Sequence, residues 1–463
     1  MSKKQILFIS YLYPPAGGIV LPGSQRTAKF VRNIKSLDVT VLAPNPEYYP
    51  DFIRQDHKDH LPIREENIIY TDVFDVFSFF LAIKNKLRFS SSNNEPEVDM
   101  TDTGKSIEET NDTIIQDQKR SLFQRLKDIV SGVLTYPDFA NHWIYPAIKE
   151  GRKIVKEQEV DYIFATGKPW SALIVAYFVS KKCSPNVKLV VDFRDPWVNN
   201  PFAVNESRVQ KLVDKYLEKK VVQEATLVLL NTDPLTREFV ERYPQISPQK
   251  FITMPNGFDA NDFTSIVPEK NDTDTCKSEL LTITHAGRIY GLRDPISIFK
   301  AIASLRRESE DVSQQIQVRQ LGEIDLGYDF PGYIRENCDA VNFMDYGQMP
   351  YVECIKHLNK SDILLIIQPD TKTQVPSKLY EYIYLNKPIL TIAPKNGALG
   401  EMIERYEFGE IFEPDDIEGI SGFLVSKVAE KRQNGYLRNE YKHRHLFDVK
   451  QITAKLENLL AEL

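Results

Sequence analysis

The stretch Pro376-Ser377-Lys378-Leu379-Tyr380-Glu381 follows closely on the apolar run Ile363–Ile367 and reads as the opening of a helix. Proline fits a helix edge because it lacks an N–H that would be unpaired there, and serine is a common cap. The unpaired N–H groups of a first turn, with the positive end of the helix dipole, attract anions. Glu381 lies one turn beyond Ser377 on the same face, about 5–6 Å along the axis. That spacing suits a nucleoside diphosphate, with phosphates at the tip and ribose hydroxyls on the carboxylate. An ordinary capped helix whose Glu381 pairs with Lys378 would carry the same residues.

Three other groups have chemistry-bearing residues. Arg288 and Arg293 stand five apart in a Gly-containing loop after an apolar run at 280–285. Their fork-shaped donors can converge on one anion. The strand expected at Lys188–Phe193 ends in Asp192-Phe193-Arg194-Asp195-Pro196-Trp197. Charges at the carboxyl end of a parallel strand are costly to bury without a purpose, so the corner reads as a site, with a salt-bridged corner as the alternative. It lacks the Asp-x-Asp spacing of a divalent-metal clamp, and no metal is expected. Gly17-Gly18, behind Pro14-Pro15 and the apolar run 5–10, allow backbone to approach a ligand or simply turn the chain. No Gly-x-Gly-x-x-Gly follows that run, which argues against a nicotinamide oxidoreductase.

These residues sit at the ends of short apolar runs that alternate with helical patterns, the signature of parallel α/β domains. Two such series are present. The expected division is an N-terminal domain over 1–260, a linker over 261–278, a C-terminal domain over 279–446 and a terminal helix over 447–463. Leu456, Leu459, Leu460 and Leu463 give that helix a docking face. Residues 90–119 are Ser, Asn, Glu, Asp and Thr with hardly an apolar pair and read as a mobile insertion. The aromatic and basic segment 72–89 and an amphipathic pattern over 122–134 flank it. They read as helices packing on their own domain or as a surface that sits on a bilayer.

With 463 residues the chain is long for one core. Net charge −7 excludes a general nucleic-acid binder. Cys183, Cys276, Cys338 and Cys354 have no metal or redox spacing, which points to a reducing compartment. The apolar run after Lys3-Lys4 is too short and too β-like for a signal peptide, and no run reaches the roughly 18–20 apolar residues of a membrane span. The expected location is the cytoplasm, with the inner face of the membrane as a second site.

Taken in order, the Gly17-Gly18 loop, Pro255-Asn256-Gly257-Phe258-Asp259, Gly287-Arg288…Arg293, and Pro376–Glu381 with Lys387-Pro388-Ile389-Leu390 resemble the retaining GT-B-fold glycosyltransferases of family 4, or group 1. The resemblance runs nearly end to end, except for about 70–135. The Asp192–Trp197 corner is similar to a subset found in bacterial surface-polysaccharide clusters. The resemblance implies two Rossmann-like domains facing a cleft, with the terminal helix packing back on the N-terminal domain. It also implies a sugar nucleotide, UDP-linked by preference, and a glycan or lipid-linked acceptor, with no cofactor. Arg288 matches the family's diphosphate arginine, and Arg293 stands where a lysine is usual. Backbone N–H groups at Ser377, Lys378 and Leu379 would take phosphate oxygens. Glu381 matches the second of two family glutamates, expected on the ribose, while the first is replaced by Thr373. Gly17 and Gly18 would face donor phosphates and acceptor. No histidine ends the strand before Arg194, and Asp195 is the candidate to orient or deprotonate the acceptor. A catalytically silent subunit and a sugar-nucleotide epimerase remain alternative functions on the same fold.

Overall fold

The computed structural model describes residues 3–16, 22–49, 63–73, 136–183, 185–200, 207–264, 266, 279–291, 293–338, 341–368 and 371–463. Gly17, Gly18, residues 74–89 of the segment expected at 72–89, and the segments expected at 90–119 and 122–134 lie outside the described residues.

The first half alternates β1 (Lys4–Ile9), α1 (Pro22–Asn33), β2 (Leu37–Pro44), β3 (Ile68–Thr71), α2 (Ile144–Glu157), β4 (Tyr162–Gly167), α3 (Trp170–Ser180), β5 (Lys188–Phe193), α4 (Arg208–Glu224), β6 (Leu227–Leu230), α5 (Asp233–Arg242) and β7 (Phe251–Thr253). All seven strands pair in parallel, in the order β3-β2-β1-β4-β5-β6-β7. A parallel strand is covered on both faces and therefore needs an unbroken apolar run, as β1 has in Ile6-Leu7-Phe8-Ile9. Leu7 and Ile9 enter one core while Ile6 and Phe8 enter the other, so the sheet is filled on both sides.

The second half continues with β8 (Leu281–Ala286), β9 (Ile289–Tyr290), α6 (Ile296–Glu308), α7 (Glu310–Gln314), β10 (Ile316–Leu321), β11 (Ile324–Asp325), α8 (Phe330–Asn337), β12 (Asn342–Asp345), α9 (Tyr351–Asn359), β13 (Ile363–Ile367), α10 (Lys378–Leu385), β14 (Ile389–Ile392), α11 (Ala398–Tyr406), β15 (Glu410–Phe412), α12 (Ile417–Asn434) and α13 (Val449–Ala461). Six strands form a second parallel sheet, β12-β10-β8-β13-β14-β15. The short β9 and β11 pair separately, a feature the apolar pattern did not announce. Two parallel-sheet domains of this kind make the GT-B architecture.

The chain crosses between the domains near Phe258 and returns near Phe447, and the two crossings are bonded together. Phe258 N donates to Phe447 O (3.0 Å), and Val449 N donates to Phe258 O (2.9 Å). Gly257 is fixed by close approach: a Cβ there would lie 2.4 Å from Phe447 O. After the return, α13 lays Ile452, Leu456 and Leu460 into the core that holds Ile6, Phe8 and Phe164. Tyr162 Oη donates to Leu460 O (2.7 Å), and Glu457 accepts from the N–H groups of Lys35 and Ser36.

The first crossing is fixed by Arg26 on α1. Its Nε and Nη2 each donate to Asp192 at 2.8 Å, and its remaining N–H groups reach Met254 O, Pro255 O and Asn256 Oδ1 at 2.8–2.9 Å. All five guanidinium donors are thereby used. Thr166 Oγ1 adds a further bond to Asp192, which is fully buried. Asp192, expected in a functional corner, is therefore a framework residue. Asp262, expected in a linker, is pinned to α1 by Arg32 (3.0 Å) and Lys29 (3.2 Å).

Removing one partner of a buried, saturated ion pair leaves the other charge uncompensated, at a cost of about 3–5 kcal/mol. Arg26→Ala is expected to lose stability on that scale, measured as the denaturant midpoint followed by intrinsic fluorescence. A loss within about 0.5 kcal/mol, the range of an ordinary surface substitution, would contradict the framework role.

Candidate functional site

A pocket of about 260 Å³ opens between the domains, with Lys29, Arg194, Asp195 and Asn231 on one wall and Ser377, Glu381 and Tyr351 on the other. It lies beyond the carboxyl ends of β5 and β6 and against the start of α10, where open parallel sheets collect ligands.

On the C-terminal side, α10 begins at Lys378. Ser377 does not cap it: its φ/ψ of −58°/−31° are already helical and its side chain makes no capping bond. The first turn closes instead through Leu379 N to Pro376 O and Tyr380 N to Ser377 O, both 3.1 Å. The N–H groups ahead of these bonds have no acceptor within the helix, and Ser377 is exposed at the pocket. One turn on, Glu381 lines the pocket and accepts a bond from Tyr351 Oη (3.2 Å). Burial pushes its carboxyl up from the usual range.

The expected local pairing of Glu381 with Lys378 is not what holds the lysine. The Lys378 ammonium donates to Ala286 O (2.6 Å) and lies 2.9 Å from His285 Nε2. His285 Nδ1 faces Gln320 Oε1 at 2.8 Å. An amide oxygen only accepts, so Nδ1 carries the proton and Nε2 is left to accept from Lys378. Gln320 is itself fixed by Nε2 bonds to Gly287 O (2.7 Å) and Gly322 O (3.1 Å). Burial and the adjacent lysine hold His285 well below its usual value, so the imidazole stays neutral.

Arg293 is the second cation here. Its guanidinium stacks over Tyr290 at 5.1 Å, Nη2 is 3.4 Å from Gln368 Oε1, and Nε is buried with no partner among the described residues. Burial first, and then the charge of Arg293, push Lys378 down to about 7 despite the pull of Glu381. Two cations held this close, one with a buried N–H unspent, form a site that an anion would relieve.

Arg288 is placed differently from the sequence expectation. It and Arg293 do not share a partner: Arg288 is half exposed and bonded to Asp325 (2.6 Å) and Glu323 (3.2 Å) on and beside β11. The cation beside Arg293 is Lys378, which the sequence suggested only for its backbone. His285 and Gln320 escaped notice because they end two buried strands and read as core.

On the N-terminal wall the corner after β5 divides. Arg194 is spent on the carbonyls of Gly167 and Lys168, and Trp197 stacks on Trp170 with centroids 5.2 Å apart. Asp195 faces the pocket and accepts from Gln374 Nε2 (2.9 Å) across the cleft. Thr373 O, beside it, accepts from Thr232 Oγ1 (2.8 Å). Gln374 Oε1 and Asn231 Oδ1 are buried without partners among the described residues, which leaves two acceptors for hydroxyl groups in the cleft. Among the described residues no group of three or more His, Cys, Asp or Glu is placed to hold a metal ion.

The arrangement resembles solved structures over the whole chain. Anabaena Alr3699/HepE in complex with UDP matches with a TM-score of 0.59 at 13% identity, covering 99% of this chain and 100% of that one. Sucrose-phosphate synthase from Thermosynechococcus elongatus matches with a TM-score of 0.56 at 13% identity, covering 100% and 99%. The lipopolysaccharide outer core galactosyltransferase WaaB matches with a TM-score of 0.54 at 15% identity, covering 99% and 100%. At such identities the likeness is one of fold. No protein-family model matches the chain, and neither does any curated protein.

The depressed lysine gives a pH signature. Free Lys378 titrates near 7 instead of 10.5, so it is largely neutral above pH 7. An anion beside it favours the charged form and raises its value, so binding takes up a proton. The affinity of this site for a phosphate-bearing anion is therefore expected to fall as pH rises above about 7, with uptake approaching one proton by calorimetry in buffers of different ionisation enthalpy. Lys378→Met should abolish the uptake; equal uptake in that variant would remove the lysine from the anion site.

Proposed function

We propose that this chain is a glycosyltransferase that moves a sugar from a nucleoside-diphosphate donor, a UDP-sugar first, to a hydroxyl of a glycan or lipid-linked acceptor. The observation that carries this reading is the Arg293–Lys378 pair at the start of α10, with Glu381, one turn further along that helix, lining the cleft pocket. The proteins with similar folds support it by what they bind or do: HepE in complex with UDP-glucose, and WaaB as a galactosyltransferase.

In this reading the nucleoside's diphosphate lies against the free N–H groups of Ser377 and Lys378 and beside the two cations, with Glu381 accepting ribose hydroxyls; Leu379, expected to join them, instead spends its N–H on Pro376 O. Sugar transfer leaves an oxocarbenium-like ring and a diphosphate that gathers negative charge. Donors fixed in place before reaction stabilise that charge most effectively. Arg293 and Lys378 supply it from the chain itself, which suits a metal-independent reaction. His285 and Gln320 hold Lys378 in position for it. The acceptor enters from the N-terminal wall, where Asp195 orients its hydroxyl. With retention of configuration, the departing phosphate oxygen lies on the acceptor's side and takes its proton. Asn231 and Gln374 offer their unpaired oxygens to sugar hydroxyls, where the family's first glutamate is absent. Surface polysaccharide or glycoconjugate assembly is the role this chemistry fits.

The test is UDP release and product formation from UDP-glucose, UDP-galactose and UDP-N-acetylglucosamine with glycan and lipid-linked acceptors. Arg293→Ala should lower turnover by about 100-fold, the scale of one strong charge-stabilising donor, and Arg288→Ala should cost less. The reverse order would restore Arg288 to the diphosphate. Glu381→Ala should weaken UDP binding by about 1–3 kcal/mol, as for a lost charged hydrogen bond; unchanged affinity would refute the ribose contact. UDP binding without turnover of any donor would point to a silent subunit.

A further inference from the structure

Helix α4 has its polarity inverted. A surface helix normally buries its apolar stripe and exposes its charges. Here the buried positions include two carboxylates, Asp214 and Glu218. Val209, Leu212 and Tyr216 are 69%, 67% and 60% exposed, and Val213 stands beside them. Their spacing, i, i+3, i+4 and i+7, places all four on one outward stripe.

The buried carboxylates explain half of this. Asp214 accepts from Trp197 Nε1 (2.8 Å) and Tyr136 Oη (2.7 Å). Glu218 accepts from Val198 N (2.9 Å), Tyr243 Oη (2.7 Å) and Arg242 Nη1 (2.5 Å). The inner face of α4 thus clamps the loop whose earlier residues, Arg194 and Asp195, line the pocket. The fold does not explain the outer face.

Its charge does. Arg208, Lys211, Lys215, Lys219 and Lys220 all lie on this helix, and with the two acids turned inward only Glu224, at its far end, opposes them on the exposed side. Lys220 Nζ stands 5.4 Å over the Tyr216 ring, an aromatic and a cation paired at the edge of the stripe. Such a cluster is unexpected on a chain of net charge −7. An apolar stripe with lysines along its borders matches an anionic bilayer, where apolar side chains enter the headgroup boundary and ammonium groups meet lipid phosphates.

We propose that the outer face of α4 is a docking surface for anionic phospholipid membranes. The docking surface is then the outer side of the helix whose inner side holds Trp197 and Val198, just beyond Asp195 in the chain. The docking itself does not depend on the transferase reading.

The test is flotation of the full-length protein with vesicles of phosphatidylcholine alone or with added phosphatidylglycerol, at low and near-physiological salt. Binding is expected only with the anionic lipid, weakening as salt rises. Leu212→Ser with Tyr216→Ser, and separately Lys215→Glu with Lys219→Glu, should each lower the bound fraction by at least about 10-fold. These positions are exposed, so melting temperature and UDP affinity should be unchanged. No binding of the wild type to anionic vesicles would overturn the proposal, as would equal binding by both variants. Sedimentation that showed the face buried in a dimer, which the substitutions dissociate, would overturn it too.

Discussion

The buried Arg26–Asp192 pair is the contact on which the geometry of the cleft depends. A guanidinium in the interior is tolerable only when all its donors are satisfied, and Arg26 satisfies them from two separate parts of the chain, β5 and the crossing at Met254–Asn256, while Thr166 on β4 holds Asp192 from behind. The same residues set where the second domain begins relative to the first. Lys29 and Arg32, one and two turns along α1, extend the hold to Asp262 and Asp259. The cross-cleft ties Thr232–Thr373, Asp195–Gln374, Arg237–Glu401 and Asp233–Arg405 then close the other side of the pocket. A framework of this kind lets the pocket itself remain electrostatically unbalanced.

That imbalance is where chemistry becomes available. Stability alone would pair Lys378 with a carboxylate or leave it in water. It is instead drawn against a neutral histidine and a carbonyl, beside a second cation, and its proton affinity falls accordingly. Charges kept apart from their opposites at a helix N-terminus are poised for a ligand that brings the opposite sign. The histidine, glutamine and glycine carbonyls behind the lysine keep it from relaxing out of the site.

Much of this was legible in the sequence wherever the cause is local. The parallel strands announce themselves as unbroken apolar runs, and the turn spacing of Ser377 and Glu381 places both on one pocket because a helix has a fixed pitch. What failed was long-range pairing. Asp192 looked functional because its partner is 166 residues away. Lys378 looked like a helix-surface residue because His285, which receives it, is 93 residues away. The need for glycine at 257 was invisible because Phe447, whose carbonyl leaves no room for a side chain, comes from the returning crossing. Arg288 and Arg293 share a loop, but the carboxylates of Glu323 and Asp325 compete for the first, and nothing in the loop reveals that. The inverted face of α4 is hidden for a related reason: Val209, Leu212, Val213 and Tyr216 make an apolar stripe, but the buried side is the one that carries Asp214 and Glu218.

The central claim is that a nucleoside diphosphate binds where Arg293, Lys378, Glu381 and the start of α10 meet. A ligand that binds only the folded state must raise its melting temperature. The most direct measurement is a thermal-shift titration of the purified protein with UDP, GDP, ADP and CMP, run in parallel on Glu381→Ala and Lys378→Met. A selective, saturable rise with one diphosphate, lost in both variants, is the predicted result. The absence of a shift with every nucleotide, or a shift that both variants retain, would contradict the site.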